Sequence, residues 1–215
     1  TDNCDVASIE FSLSGSTTGS GTSLDGTEFN AGETTVTWPA TDSSGNTDVC
    51  SFTVTFIDNQ DPEIDCTGYQ EFSTDPGLCT YTNTGTGLDA MATDNCGIES
   101  VEYSLTGATE GSGTSLDGVV FNTGETTVTW TAADNSGNTT TCSFVVTVVD
   151  NEDPVIVSCP ENQEFFTDPD KCTYTLSGTA LDVTATDNCE VNSVEFELSG
   201  ATSGSGTTLD GAVFN

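Results

Sequence analysis

Residues 124–130 read Gly-Glu-Thr-Thr-Val-Thr-Trp, and residues 143–148 read Ser-Phe-Val-Val-Thr-Val. In the first stretch Val128 and Trp130 alternate with threonines. An apolar residue at every second position, carried by β-branched and aromatic side chains, is the signature of a half-buried strand. Working outward, strands are expected at Glu63–Cys66, Leu88–Ala92, Ser100–Leu105, Val119–Phe121, Thr126–Ala132 and Thr141–Val149. Asp117-Gly118 is a tight-hairpin signal. No stretch has helical periodicity. Several short strands within about 92 residues point to an all-β, two-sheet sandwich of immunoglobulin type.

The sequence repeats itself at that interval. Thr-Asp-Asn-Cys stands at 1–4, 93–96 and 186–189, and the Gly-Glu-Thr-Thr-Val-Thr-Trp of 124–130 also stands at 32–38. Cys4, Cys96 and Cys189 are 92 and 93 residues apart, and Cys66 to Cys159 and Cys79 to Cys172 are each 93. The fold expected is therefore tandem immunoglobulin-like sandwiches of about 92 residues, end to end. Asp58-Asn59-Gln60-Asp61-Pro62 and Asp150-Asn151-Glu152-Asp153-Pro154 read as junctions. They divide the chain into a partial repeat at 1–60, a complete repeat at 61–152 and a second partial repeat at 153–215. Such a chain reads as a window on a longer polymer, or as subunits that complete one another by donating strands. The aromatics in register (Trp38 with Trp130; Phe29 with Phe121 and Phe214; Phe11 with Tyr103 and Phe196) are expected in the core.

The 215 residues carry one Lys or Arg (Lys171), no His, 35 Asp plus Glu and a net charge of -34. A polyanionic partner would be repelled, which excludes nucleic acid and adhesion to an anionic membrane through a basic face. No apolar run is long enough to span a bilayer. Without His or an arginine clamp, and with no distinctive carboxylate pair in each repeat, no enzymatic activity is expected. Nine cysteines at fixed phase, without paired Cys-x-x-Cys spacing, read as disulfides in an oxidising, extracellular or cell-surface location rather than as zinc ligands. Asn138-Thr139-Thr140 is an N-glycosylation sequon.

The run Phe121-Asn122, Gly124, Val128, Trp130, Ala132, Asp134, Ser136-Gly137-Asn138, Cys142-Ser143-Phe144, Val146 and Asp150 to Pro154 resembles the hyalin repeat (HYR), an extracellular immunoglobulin-like module. The resemblance extends over the whole chain. It implies adhesion, matrix or stalk function and not catalysis. Asn30, Asn122 and Asn215 stand where the family often has Pro, and the family's Cys-Pro is kept only at Cys159-Pro160.

Four cysteines per repeat allow three connectivities. If the bonds close within the window, Cys4 pairs with Cys50 and, by repetition, Cys96 with Cys142. Cys66–Cys79 and Cys159–Cys172 follow, and Cys189 is left for a cysteine outside this segment.

In a sandwich of this kind the acidic loops share one end. They are Asp94-Asn95, Asp134 to Asn138, the junction Asp58-Asn59 with Asp61, the turn at Asp117, and Glu33 of the preceding repeat. Short oxygen side chains from several segments suit Ca2+, which takes about 6–8 oxygen ligands, better than Mg2+ or a soft metal. The candidate ligands are Asp2, Asn3, Asp42, Asn46, Asp58, Asn59, Asp61, Asp94, Asn95, Asp134, Asn138, Asp150, Asn151, Asp153, Asp187 and Asn188. The junction is also partly similar to the shared calcium-binding linker of cadherins. The partners expected are neighbouring repeats or identical subunits of a polymer, with a surface glycan or protein as the alternative. The function expected is that of a filament, stalk or fibrillar adhesin segment. A binding module, or an accessory domain of a secreted enzyme, is the competing reading. The near-identical loops Gly19 to Gly26, Gly111 to Gly118 and Gly204 to Gly211 favour the structural one.

Overall fold

The computed structural model describes residues 6–215, and every regular element in them is a strand. The first segment holds β1 (Val6–Ile9), β2 (Phe11–Gly15), β3 (Gly19–Gly21), β4 (Gly32–Asp42) and β5 (Thr47–Phe56). The central one holds β6 (Glu63–Asp65), β7 (Gln70–Ser73), β8 (Thr80–Thr82), β9 (Met91–Thr93), β10 (Ile98–Gly107), β11 (Gly111–Gly113), β12 (Val120–Asn122), β13 (Gly124–Asp134) and β14 (Thr139–Val149). The last holds β15 (Val155–Ser158), β16 (Tyr174–Thr175), β17 (Thr184–Thr186), β18 (Phe196–Leu198), β19 (Gly204–Gly206) and β20 (Val213–Phe214).

The central repeat is an immunoglobulin-like sandwich. One sheet runs β11-β10-β13-β14-β7, and the ladders β6-β9 and β8-β12 supply the remaining strands. β7 joins β14 in parallel, with Val146 opposite Gln70 and Val148 opposite Phe72. The first segment repeats four of those five strands as β3-β2-β4-β5, with β1 added to β4. Five of the six expected strands form, several of them longer than the apolar pattern marked; the sixth, expected at Leu88–Ala92, is displaced to Met91–Thr93, with Leu88 in a turn and buried. β7, β8 and β11 carried no alternation strong enough to find. β11 is Gly-Ser-Gly, like β3 and β19. In those two, glycine faces an aromatic ring: Gly21 pairs with Phe11 and Gly206 with Phe196, and a Cβ on either would meet the ring at 3.0 Å.

The chain gathers into two compact units. One takes Thr1–Cys66, Ala90–Tyr103 and Thr129–Cys142; its core includes Phe11, Leu13 and Val36 and, from the other two stretches, Tyr103, Trp130 and Ala132. The other takes Thr67–Asp89, Ser104–Val128 and Ser143–Asn215, and buries Leu105, Leu116, Phe121, Val128, Phe144, Val146 and Val148. Of the in-register aromatics expected in the core, Phe11, Tyr103, Phe121 and Trp130 are buried, whereas Phe29, Trp38, Phe196 and Phe214 are only half-buried, because the strands that cover them in the central repeat are not all present beside them.

The disulfides differ from expectation. Cys66 bonds Cys142, not Cys79, and Cys79 bonds Cys189, so Cys189 has its partner inside the chain. Cys50, Cys96, Cys159 and Cys172 are free and exposed, so neither Cys96–Cys142 nor Cys159–Cys172 forms. Cys4, and with it the expected Cys4–Cys50 bond, lies outside the described residues, as do Asp2 and Asn3. The expectation failed because it assumed that the bonds close within the window, which paired Cys4 with Cys50, and carried that pairing to the other repeats. The fold instead brings Cα atoms 76 residues apart to 6.1 Å and Cα atoms 110 residues apart to 4.6 Å.

Candidate functional site

Two acidic clusters repeat with the sequence. In the first, carboxylate oxygens of Asp58, Asp94 and Asp134 lie within 4.8 Å of one another. Three loops position them: the segment after β5, the turn between β9 and β10, and the turn between β13 and β14. Like charges this close repel, so the local geometry must be held by other bonds.

Each loop supplies them. Asp134 is fully buried; its Oδ1 accepts the backbone N–H groups of Ser136 and Asn138, each at 2.8 Å, and its Oδ2 accepts Asn138 Nδ2 at 2.7 Å. Burial pushes the Asp134 carboxyl up, but the hydrogen bonds from Asn138, Ser136 and Gly137 together outweigh it and hold the pKa below the ordinary value. Asn138 Nδ2 also donates to the carbonyls of Asp58 at 3.3 Å and Gln60 at 3.1 Å, which fastens the junction to the turn. The sequon asparagine is therefore engaged as a brace. Asp94 Oδ1 accepts the N–H groups of Cys96 at 2.7 Å and Gly97 at 3.1 Å. Its Oδ2 is buried with no hydrogen-bond partner among the described residues. Asn135 closes the arrangement, donating through Nδ2 to the Cys96 carbonyl at 3.0 Å. A hydrogen bond to Asp58, then burial and the charges of Asp58, Asp94 and Asp134, raise the pKa of the neighbouring Cys96 thiol.

In the second cluster, Asp150, Asp187 and Cys189, the two aspartates are the counterparts of Asp58 and Asp94, while Cys189 is the counterpart of Cys96 and not of Asp134. Asp150 Oδ1 accepts Glu152 N at 3.1 Å, Asn188 Nδ2 at 3.2 Å and Thr74 Oγ1 at 3.5 Å. The Glu152 N–H leads the set that holds the Asp150 pKa low against burial. Asp187 Oδ1 accepts Cys189 N at 2.8 Å, as Asp94 does from Cys96. Asn188 Nδ2 donates to the Leu78 carbonyl at 2.8 Å, and Asn188 Oδ1 is buried without a partner. Cys189 is bonded to Cys79, so its sulfur is no thiolate ligand. The oxygens alone are available.

Of the expected ligands, Asp58, Asp94 and Asp134 come together, and so do Asp150 and Asp187, with Asn188 beside them. Asp42 and Asn46 form the same turn as Asp134 and Asn138, with Asn46 Nδ2 donating to Asp42 Oδ2 at 2.7 Å, but Asp42 belongs to no group of three metal-ligating side chains among the described residues. That side-chain bond is the main cause of the lowered Asp42 pKa. Asn95 donates to Cys96 Sγ and Asn151 to Ser73 Oγ, while Asn59, Asp61 and Asp153 are exposed and outside the grouped carboxylates. Glu33 pairs along β4 with Thr55, and Asp117 accepts the Gly85 N–H at 2.6 Å; neither joins a cluster. Sequence reasoning missed the part of Cys79 and Thr74, whose only signal was that the segment from Cys66 to Cys79 is itself repeated at 159–172.

Residues 11–56 and 57–148 each match the HYR domain model. Hyalin of Strongylocentrotus purpuratus is 39% identical over 147 residues, covering 64% of this chain and 11% of hyalin. The sushi, von Willebrand factor type A, EGF and pentraxin domain-containing protein 1 of Rattus norvegicus is 32% identical over 121 residues, 56% of this chain and 3% of that protein. The chain thus spans a small part of either relative. Among solved structures, Drosophila N-cadherin EC1-4 aligns with 91% of this chain and 51% of its own at 16% identity and a TM-score of 0.36. Among the described residues no helix is long and apolar enough to cross a membrane.

Proposed function

Because the chain belongs to the HYR domain family, we propose that it is a structural segment of an extracellular filament, stalk or fibrillar adhesin, rigidified by disulfides and by Ca2+ at its junctions. It acts by holding adhesion-type repeats in series, not by catalysis. The observation that supports the calcium reading is the recurrence of an aspartate pair at the repeat interval, Asp58 with Asp94 and Asp150 with Asp187, with a buried oxygen left without a partner beside each: Asp94 Oδ2 at the first and Asn188 Oδ1 at the second. A buried, unpaired polar oxygen costs free energy that a cation would offset.

The donor set fits a hard cation. It consists of carboxylates, amide oxygens and carbonyls, with neither imidazole nor free thiolate at the second cluster. Asp58, Asp94 and Asp134 would hold one ion, and Asp150, Asp187 and Asn188 another. An ion there neutralises carboxylates from a junction and from the turn that packs on it, and so stiffens the joint. The alternative, a module that presents variable loops to a glycan or protein, is disfavoured by the near-identity of those loops.

The test is thermal unfolding and protease digestion in millimolar Ca2+, in excess EDTA and in Mg2+. Calcium should raise Tm and protect residues 58–61 and 150–153 from cleavage, and Mg2+ should do so weakly. Identical curves in Ca2+ and EDTA would overturn the calcium mechanism and leave the disulfides as the source of rigidity.

A further inference from the structure

Two covalent routes lead from the central repeat into the repeat that follows it. One is the main chain through the junction Asp150 to Pro154. The other is the Cys79–Cys189 disulfide, which joins the second cysteine of the central repeat to the third of the next and so straddles that junction. Cys66–Cys142 does not straddle it, because both its cysteines precede the junction. The routes differ greatly in length. Cys66 and Cys79 are 13 positions apart in the sequence. Pulled taut, that stretch reaches about 45 Å, and the bond then crosses to Cys189 between Cα atoms 4.6 Å apart. A route through Cys66–Cys142 still has the stretch from Cys142 to Cys189 to run, which reaches about 160 Å. When two routes join the same points, the longer is slack while the shorter is taut. The 110 residues that Cys79–Cys189 encloses, with β10, β13, β14 and the junction among them, therefore bear no tension while the bond holds.

The short route is also fastened along its length. β7 lies in it and pairs in parallel with β14, Gln70 to Ser73 against Val146 to Val149. Cys66 and Cys142 each stand four residues before the first pair of that ladder, so their bond closes it at one end. Past the other end, Thr74 N donates to the Val149 carbonyl at 3.0 Å, Asn151 Nδ2 to Ser73 Oγ at 2.9 Å and Gly77 N to Glu152 Oε1 at 2.7 Å. Asn188 Nδ2 donates to the Leu78 carbonyl at 2.8 Å. Residues 73–79 are thus bonded both to the junction and to the turn that carries Cys189. The junction itself forms no strand, and Asn151, Glu152 and Asp153 are exposed.

We propose that Cys79–Cys189 is the link through which tension passes from the central repeat to the next, and that the peptide junction stays slack behind it. Two properties follow from the connectivity. Pulling on the chain cannot draw out the enclosed residues, even when their strands separate. A cut in the exposed junction does not part the chain, because residues on its two sides remain joined through sulfur. The two disulfides have unequal parts in this: Cys66–Cys142 holds the ladder to which the short route is fastened, and Cys79–Cys189 alone carries tension past the junction. The inference rests on the reading that the repeats work in series, but not on calcium.

The test is single-molecule stretching of the full chain, held at its two ends after its free thiols are capped with iodoacetamide, once in EDTA and once in Ca2+. Reduction should lengthen the fully stretched chain by the 110 residues that the bond encloses, about 380 Å. Cys66→Ser with Cys142→Ser should keep the wild-type length. Cys79→Ser with Cys189→Ser should lengthen it by the difference between 110 and 76 residues, about 120 Å. A second measurement leaves every cysteine in place: a site-specific protease sequence inserted between Glu152 and Asp153 is cut in the folded chain. Without reductant the cut chain should run as one band and stretch to the same length as the uncut one, and with reductant it should run as two fragments. Fragments that part without reductant, or lengthening in the Cys66 and Cys142 variant but not in the Cys79 and Cys189 variant, would overturn the proposal. The expected lengths in EDTA together with an unchanged Tm on adding Ca2+ would keep it while removing the calcium mechanism. Fragments that part without reductant while Ca2+ raises Tm would remove it and keep that mechanism.

Discussion

β5 and β14 are two copies of one strand in different company. Both pair along their length with a Gly-Glu-Thr-Thr-Val-Thr-Trp strand, β4 or β13. Yet Phe144 is 6% exposed while its counterpart Phe52 is 47% exposed, and Val148 is 3% exposed while Phe56 is 44% exposed. The side chains do not account for this, since the exposed copies are at least as apolar. What differs is the stretch that supplies β6 to β9. It lies at 61–93 for the central repeat, and no counterpart for the first segment is among these 215 residues. Strand formation therefore follows the local pattern, while burial follows a partner about 75 residues away in sequence, as Val146 opposite Gln70 shows.

The largest expected effect comes from the covalent bond that spans the most sequence. In the chain-entropy model, closing the 110-residue separation of Cys79 and Cys189 is worth about 5 kcal/mol. Cys79→Ser should lower the denaturant midpoint of the second unit sharply, whereas Cys172→Ser, the same change at the equivalent free thiol, should leave it unchanged. Equal loss in the two variants, read by urea unfolding, would show that Cys172 is bonded in solution within one chain.

Next comes the buried indole. Trp130 is 1% exposed and packs edge-on to Tyr103 with ring centroids 5.3 Å apart. Trp38 meets Phe11 at the same 5.3 Å but is only partly buried. Trp130→Ala should cost about 3–5 kcal/mol, and Trp38→Ala clearly less. If the costs are equal, the first segment is completed in solution by other strands.

Much of this was legible in the sequence. The period, the all-β class and the alternating strands β13 and β14 are written in residues close to one another. The carboxylate clusters were legible as loops, because Asp-Asn in a turn bonds its own backbone whatever surrounds it. The disulfides were not. Their pairing depends on which strand lies beside which, and the assumption that every bond closes within the window had no physical basis. β7 was hidden for a related reason: Gln70–Ser73 becomes a strand only because β14 offers it an edge, and the same stretch at 163–166 remains irregular.

Local devices, by contrast, survive without the partner. In the central repeat Asp89 accepts Ser115 Oγ and Leu116 N, both at 2.7 Å. In the last segment, where the long strands are absent, Asp182 accepts Thr208 Oγ1 at 2.7 Å and Leu209 N at 2.8 Å. The stacked pair Phe72–Tyr81, 4.2 Å apart, likewise persists as Phe165–Tyr174 at 4.6 Å. The Leu209 N–H, followed by the Thr208 hydroxyl, holds the Asp182 pKa below its ordinary 3.8. A carboxyl whose folded pKa is depressed contributes stability above the unfolded value and loses it as the pH falls through the folded one. Asp182→Asn should therefore lower Tm slightly at pH 7, and the gap to the wild type should close as the pH drops below 3.8. A gap that stays constant from pH 7 to pH 2 would mean that the bonds to Leu209 and Thr208 stabilise through their geometry and not through the charge.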